Sequence, residues 1–134
     1  KWLQNYTPNQ EWINCANKTR TETENKIKLF RLTLKQWQQQ FENNIHALPE
    51  YINNWPIMKR TKCHCGIWIK RARQEQLFEE NWLTQLEEVH ESMHDIAEEL
   101  FNKYQNNELI AARDGLKDIY CIFEKMSNVL GQCE

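Results

Sequence analysis

A narrow apolar seam at helical spacing constrains the fold more than any other feature of the chain. Large apolar side chains recur at intervals of three, four, three and four residues: Ile27, Phe30, Leu34, Trp37 and Phe41. Lys and Gln are the commonest residues at the positions between them, so one stripe would be buried and the other faces solvated. Thr19 and Thr21 each stand three residues before a glutamate, as helix-capping residues do. The pattern predicts a helix from about residue 21 to residue 45.

Helical patterns account for the rest of the chain as well. We expect a short helix around 49–54, helix-forming residues over 70–76, a long helix from about Phe78 to Asn106, and a last helix over about 108–130. Gly and Pro occur only three times each, and nothing alternates with the period of a strand. We therefore predict an all-α fold, an antiparallel four-helix-type bundle with one additional short helix, over residues 21–134. Residues 1–20 would be an N-terminal lead-in segment, in which Thr7 and Pro8 form a candidate helix start.

Charge and cysteine content narrow the classes of function. The net charge is −2 with acids and bases interspersed, so we expect no nucleic-acid partner. No apolar run approaches the about 20 residues that cross a membrane, so we expect no membrane insertion. Five cysteines, an odd number, argue against a disulfide framework and favour a reducing, cytoplasmic setting, with the periplasm left open. A modest basic cluster is interpreted as a solvated helix face in preference to a phosphate site: Lys62, Lys70, Arg71 and Arg73.

Two short stretches carry candidate metal ligands. The segment that follows Pro56 ends with Cys63-His64-Cys65-Gly66. His90 lies 27 positions after Cys63, and His94 follows four positions later. Two histidines four apart on a helix share a face, with Cβ atoms about 5–6 Å apart, so both imidazoles can meet one ion. A thiolate from a neighbouring element would complete a mixed nitrogen and sulfur set, which suits zinc best. We therefore predict a zinc site with Cys63, His90 and His94 as ligands.

These stretches resemble the signature of the chemoreceptor zinc-binding domain, a bacterial sensory bundle found on chemoreceptors and diguanylate cyclases. The resemblance covers roughly residues 25–130 as a helix pattern. It implies a homodimer in which zinc occupancy controls an attached output domain, as in chemotaxis signal transduction. Because the chain opens on Lys1 and not on Met, we expect it to be part of such a longer protein. The matching positions are Cys63, Cys65 in the family's apolar slot, Gly66, Trp68, His90, His94, and Trp37 on the first long helix.

One position departs from the family pattern. The family's zinc is held by three histidines and one cysteine, and Leu34 stands where the third histidine belongs, three residues before Trp37. His46 lies twelve residues further on, about 18 Å along a continuous helix, and cannot substitute. The fourth ligand is left open between water, His64 and Cys65. Three outcomes are compatible with this sequence: a weaker zinc site with an open coordination position, a rebuilt site, or a decayed site that no longer binds metal. We expect that zinc binds.

Two other functions remain open at this stage. His90-Glu91-Ser92-Met93-His94 also spells the His-Glu-x-x-His motif of zinc metalloproteases, in which Glu91 would activate a metal-bound water. Ala97 and Leu100 stand where the metzincin extension requires Gly and His, so we interpret the match as coincidental and the domain as non-catalytic. The second alternative is a structural dimerisation bundle with a vestigial metal site, which the long apolar seams would suit.

Overall fold

The computed structural model describes the backbone of residues 10–132 and the side chains of residues 20–132. Within this range the fold is all-α, without a strand, and none of its helices is both long and apolar enough to cross a membrane. Helix α3 is central and packs against α2, α4 and α5, while α1 also contacts these three helices. The elements are α1 (Gln10–His46), a 3₁₀ turn (Pro49–Tyr51), α2 (His64–Glu75), α3 (Glu80–Gln105), α4 (Leu109–Asp114) and α5 (Leu116–Gly131).

The apolar seam of α1 is confirmed as part of the core, but the helix begins earlier than predicted. All five seam residues, from Ile27 to Phe41, are buried. The helix starts at Gln10 and not near residue 21. Within it, Thr23 Oγ1 donates to the carbonyl oxygen of Arg20 at 2.8 Å, so its hydroxyl bonds back to the preceding turn. The threonines here belong to the helix interior, and the candidate start at Thr7 and Pro8 lies outside the described residues.

Two predicted helices differ in extent from the structure. The helix expected around 49–54 is only the 3₁₀ turn Pro49–Tyr51, since none of its residues is buried and nothing packs it into a longer element. The helix expected over about 108–130 is interrupted at Gly115. A Cβ at Gly115 would stand 2.1 Å from Leu100 Cδ2, so the glycine permits a close approach of this break to α3. Ile110, in the short helix before this break, is 75 % exposed.

The connection between the 3₁₀ turn and α2 is held in place by tryptophan side chains of the helices. Residues 52–63 contain no helix or strand. Trp37 Nε1 on α1 donates to the carbonyl oxygen of Ile57 at 2.8 Å. Trp68 Nε1 on α2 donates to the carbonyl oxygen of Lys26 at 2.9 Å, which fixes α2 against α1. Tryptophan hydrogen bonds therefore tie α1 both to the connection over 52–63 and to α2.

Candidate metal site

Cys63 occupies the N-cap position of α2. Its backbone is extended, with φ −66° and ψ 141°, and its carbonyl oxygen accepts the first helical bond from the amide of Ile67 at 3.0 Å. Its own amide donates to the carbonyl oxygen of Lys59 at 3.0 Å. The side chain is buried. The thiol is thus held at the positive end of the helix dipole, where the thiolate form is favoured.

The two histidines face each other on α3. His90 and His94 are both buried, their ring centroids are 4.6 Å apart, and their Nε2 atoms are 3.1 Å apart. His94 Nδ1 lies 2.8 Å from the carbonyl oxygen of Met58. Because a carbonyl oxygen only accepts, Nδ1 carries the proton and Nε2 presents a lone pair. The indole of Trp37 packs edge-on against the His94 ring, with centroids 5.4 Å apart, and so limits its rotation.

The structure brings together the three ligands predicted from the sequence. The potential ligand atoms of Cys63, His90 and His94 all lie within 4.8 Å of one another, and all three residues are buried. Tetrahedral zinc, with bonds of about 2.0–2.1 Å to nitrogen and 2.3 Å to sulfur, needs ligand atoms about 3.3–3.6 Å apart. The 3.1 Å between the two Nε2 atoms is close to that separation. The donor set and its spacing therefore fit a zinc ion after small side-chain adjustments.

The candidates for a fourth ligand are not brought into this group. Leu34 is buried on α1 and offers no donor atom, and His64 is exposed at the start of α2. Cys65 is fully buried, but it does not belong to the mutually close set of three. A pocket of about 230 Å³ between α1 and the connection over 52–63 is lined in part by Cys63 and Trp55.

The pKa values of the Cys63 and Cys65 thiols are shifted in opposite directions. A hydrogen bond from the Cys65 side chain lowers the pKa of the Cys63 thiol far below its ordinary value, although burial acts in the opposite direction. The same hydrogen bond, burial and the negative charge of Cys63 raise the pKa of the Cys65 thiol. These shifts favour the thiolate form of Cys63, which is the form that binds a metal.

Two features of this site were missed in the sequence. The Met58 carbonyl oxygen orients His94, but a main-chain acceptor carries no residue-type signal. The hydrogen bond from Cys65 to Cys63 depends on where α2 begins, since that decides which way the two thiols point. The Cys-x-Cys spacing was the only available signal for it.

A scan against protein-family models and searches of curated proteins and of solved structures each found no match to the chain. The site is therefore interpreted from its own geometry and chemistry.

Proposed function

We propose that this chain is a regulatory, non-catalytic domain that binds one zinc ion through Cys63, His90 and His94. The observation that carries the proposal is the convergence of one thiolate and two imidazoles, all buried, within 4.8 Å of one another. Buried polar groups are normally satisfied by hydrogen bonds or a metal, and a buried thiolate next to two imidazoles is well suited to a metal. When bound, the ion would supply a cross-link between the start of α2 and the middle of α3.

The ligands are attached to elements whose relative positions a metal could control. Cys63 caps α2, and the histidines belong to α3. His94 is oriented by Met58 in the connection over 52–63, and Trp37 of α1 bonds to the same connection. Zinc occupancy would thus favour one packing of α1, α2 and α3 over others, which is how a ligand shifts a conformational equilibrium. Cys63 would be the most labile ligand, because a thiolate can be protonated or oxidised.

The wider role that we propose follows from the resemblance to the chemoreceptor zinc-binding domain. In this proposal the chain forms an antiparallel four-helix-type bundle and pairs as a cytoplasmic homodimer. The homodimer controls an output domain elsewhere in a bacterial signal-transduction protein. Leu29 and Leu32 on α1, 56 % and 55 % exposed, support pairing through α1, since two neighbouring large apolar side chains gain from burial. The same surface would serve the structural dimerisation bundle, which is the alternative if no metal binds.

The position of Glu91 supports a non-catalytic role. In a His-Glu-x-x-His protease this carboxylate must reach the metal-bound water to act as its base. Here the Glu91 carboxylate forms an ion pair with Arg60. This pairing occupies a carboxylate oxygen that the protease mechanism would need for the water. Peptide cleavage that is lost in Glu91→Gln would support the protease instead.

The proposal is tested by zinc titration of the reduced chain against a chromogenic chelator. We expect one zinc per chain, and a loss of affinity of about 100-fold or more in Cys63→Ser, since a thiolate ligand is replaced by a neutral hydroxyl. Cys121→Ser is the matched control, because Cys121 is an exposed free thiol on α5. Equal affinities for zinc in wild type, Cys63→Ser and Cys121→Ser would contradict the assignment of Cys63 as a zinc ligand.

A further inference from the structure

The group formed by Cys63, His90 and His94 offers three donor atoms to a metal and no fourth. Within the described part of the chain, no other His, Cys, Asp or Glu side chain lies close enough to all three to join them. Zinc in proteins is almost always four-coordinate, so it would need a water molecule to complete its shell. The three residues are at most 4 % exposed, and this water would therefore have to be held in a buried place.

The charge of the ion sets a second constraint. Zn²⁺ with one thiolate and two neutral imidazoles leaves one net positive charge, whereas Cu(I) with the same three ligands gives a neutral complex. Among the described residues, His90 and His94 are the only buried polar or charged side chains, so no buried carboxylate compensates a positive charge. Glu91, beside His90 in the sequence, is half-buried and pairs with Arg60. A charge that is buried without a partner is unfavourable, which disfavours zinc relative to Cu(I).

The ligand types favour copper as well. A thiolate is a soft ligand, and thiolates select soft ions such as Cu(I). One cysteine and two histidines form the trigonal donor set of a class of copper sites in proteins, in which any fourth ligand is weak and distant. Nδ1 of His94 donates to the carbonyl oxygen of Met58 at 2.8 Å, so its Nε2 is left to face His90. The three donors are therefore a complete set for Cu(I), but an incomplete one for zinc.

We propose that Cys63, His90 and His94 also bind Cu(I), and bind it more tightly than zinc. This inference rests on the proposed function, since it assigns a second metal to the same three ligands. Zinc occupies the site where free copper is scarce, because occupancy depends on the availability of each metal as well as on its affinity. A rise in Cu(I) displaces the zinc, and the exchange removes both the net positive charge and the need for a fourth ligand.

Cys65 is the alternative ligand for Cu(I). Its side chain is fully buried and hydrogen-bonds to Cys63, so the sulfur of Cys65 lies near that of Cys63. Cys65 nevertheless lies outside the group of donor atoms that are all close to one another. Two thiolates on one Cu(I) would also leave a net negative charge without a buried partner. The histidines, and not Cys65, are therefore assigned as the ligands beside Cys63.

The copper assignment is tested by anaerobic competition of the reduced, metal-free chain with bicinchoninate for Cu(I), beside the zinc titration of the same samples. We expect one Cu(I) per chain, bound about 100-fold or more tightly than zinc, as one uncompensated buried charge can account for. Cys63→Ser and His94→Gln should each weaken Cu(I) binding by about tenfold or more. Cys65→Ser keeps a hydrogen-bond donor beside Cys63 and should have a much smaller effect, and the control Cys121→Ser none.

X-ray absorption at the copper edge on the Cu(I)-loaded wild-type chain tests the ligands without any variant. We expect three-coordinate Cu(I) with one sulfur and two imidazole nitrogens. Two sulfurs, or an equal loss of Cu(I) affinity in Cys65→Ser and Cys63→Ser, would overturn the proposal. Zinc binding with Cu(I) bound no more tightly would contradict this inference alone, whereas a reduced chain that binds neither metal would contradict the proposed function as well.

Discussion

Replacement of Gly66 by alanine tests how closely the start of α2 packs on the chain that leads into it. An ideal Cβ at Gly66 would lie 2.1 Å from the carbonyl oxygen of Arg60 and 3.4 Å from Cε1 of His90. Real Cβ atoms essentially never approach another heavy atom within 3.0 Å. The Arg60 carbonyl must therefore retreat by at least the difference between 3.0 and 2.1 Å, which is 0.9 Å. Because the obstacle is backbone, α2 and the turn at Arg60 have to separate.

Two opposing terms set the size of the effect on stability. Forcing an extra methyl group into a packed region costs about 1–3 kcal/mol, and larger losses occur where the backbone must move. Alanine recovers up to about 1 kcal/mol of helix propensity relative to glycine. We expect a net loss of about 1–2 kcal/mol in the free energy of unfolding of the metal-free chain. Zinc affinity should fall by about tenfold, since Cys63 precedes the displaced turn of α2 while His90 stays on α3.

Urea unfolding of the metal-free chain and zinc competition measure these two effects. Gly131→Ala is the control, because a Cβ at Gly131 at the end of α5 would meet no atom within 4 Å. We expect this control to be as stable as wild type or slightly more stable. If Gly66→Ala matched Gly131→Ala in stability and in zinc affinity, the close packing of α2 on Arg60 would be refuted.

Three further predictions follow from the structure. Leu34→His should raise zinc affinity by about tenfold or more in the chelator competition, if position 34 still faces the site as the family resemblance implies; unchanged affinity would mean that it does not. Tyr104→Phe should lower the free energy of unfolding by about 1 kcal/mol, since the hydroxyl donates to the carbonyl oxygen of Ala47 at 2.6 Å at the end of α1; an unchanged urea midpoint would show that water replaces this bond. The lowered pKa of folded Cys63 stabilises the metal-free chain fully above the unfolded value of about 8.5, and this contribution is lost as the pH falls toward the folded pKa. The difference in unfolding free energy between wild type and Cys63→Ser should therefore grow from about pH 5 to about pH 8.5, and a difference that shrank over this range would contradict the protonation state assigned to Cys63.

The parts of the fold that follow from helical periodicity could be predicted from the sequence. The seam from Ile27 to Phe41 is buried as expected, because a regular apolar period leaves only one face to bury. The grouping of Cys63 with the two histidines could also be predicted from the sequence. Histidines four apart on a helix must share a face, so only the position of the thiol required tertiary information.

The remainder depended on contacts that no local pattern encodes. Threonine is a good helix cap, but a Thr hydroxyl can equally bond to the preceding turn, and α1 therefore runs through the predicted start. The break at Gly115 reflects a close approach to Leu100, which is distant in sequence.

The central claim is most directly tested by X-ray absorption at the zinc edge on the reduced chain, purified without chelator, together with its metal content. We predict one zinc per chain, coordinated by one sulfur and two imidazole nitrogens, with any further ligand a light atom. A chain that carries no zinc while Cys63 is reduced would contradict zinc binding. A spectrum that requires two sulfurs would contradict the assignment of Cys65 as a hydrogen-bond donor to Cys63.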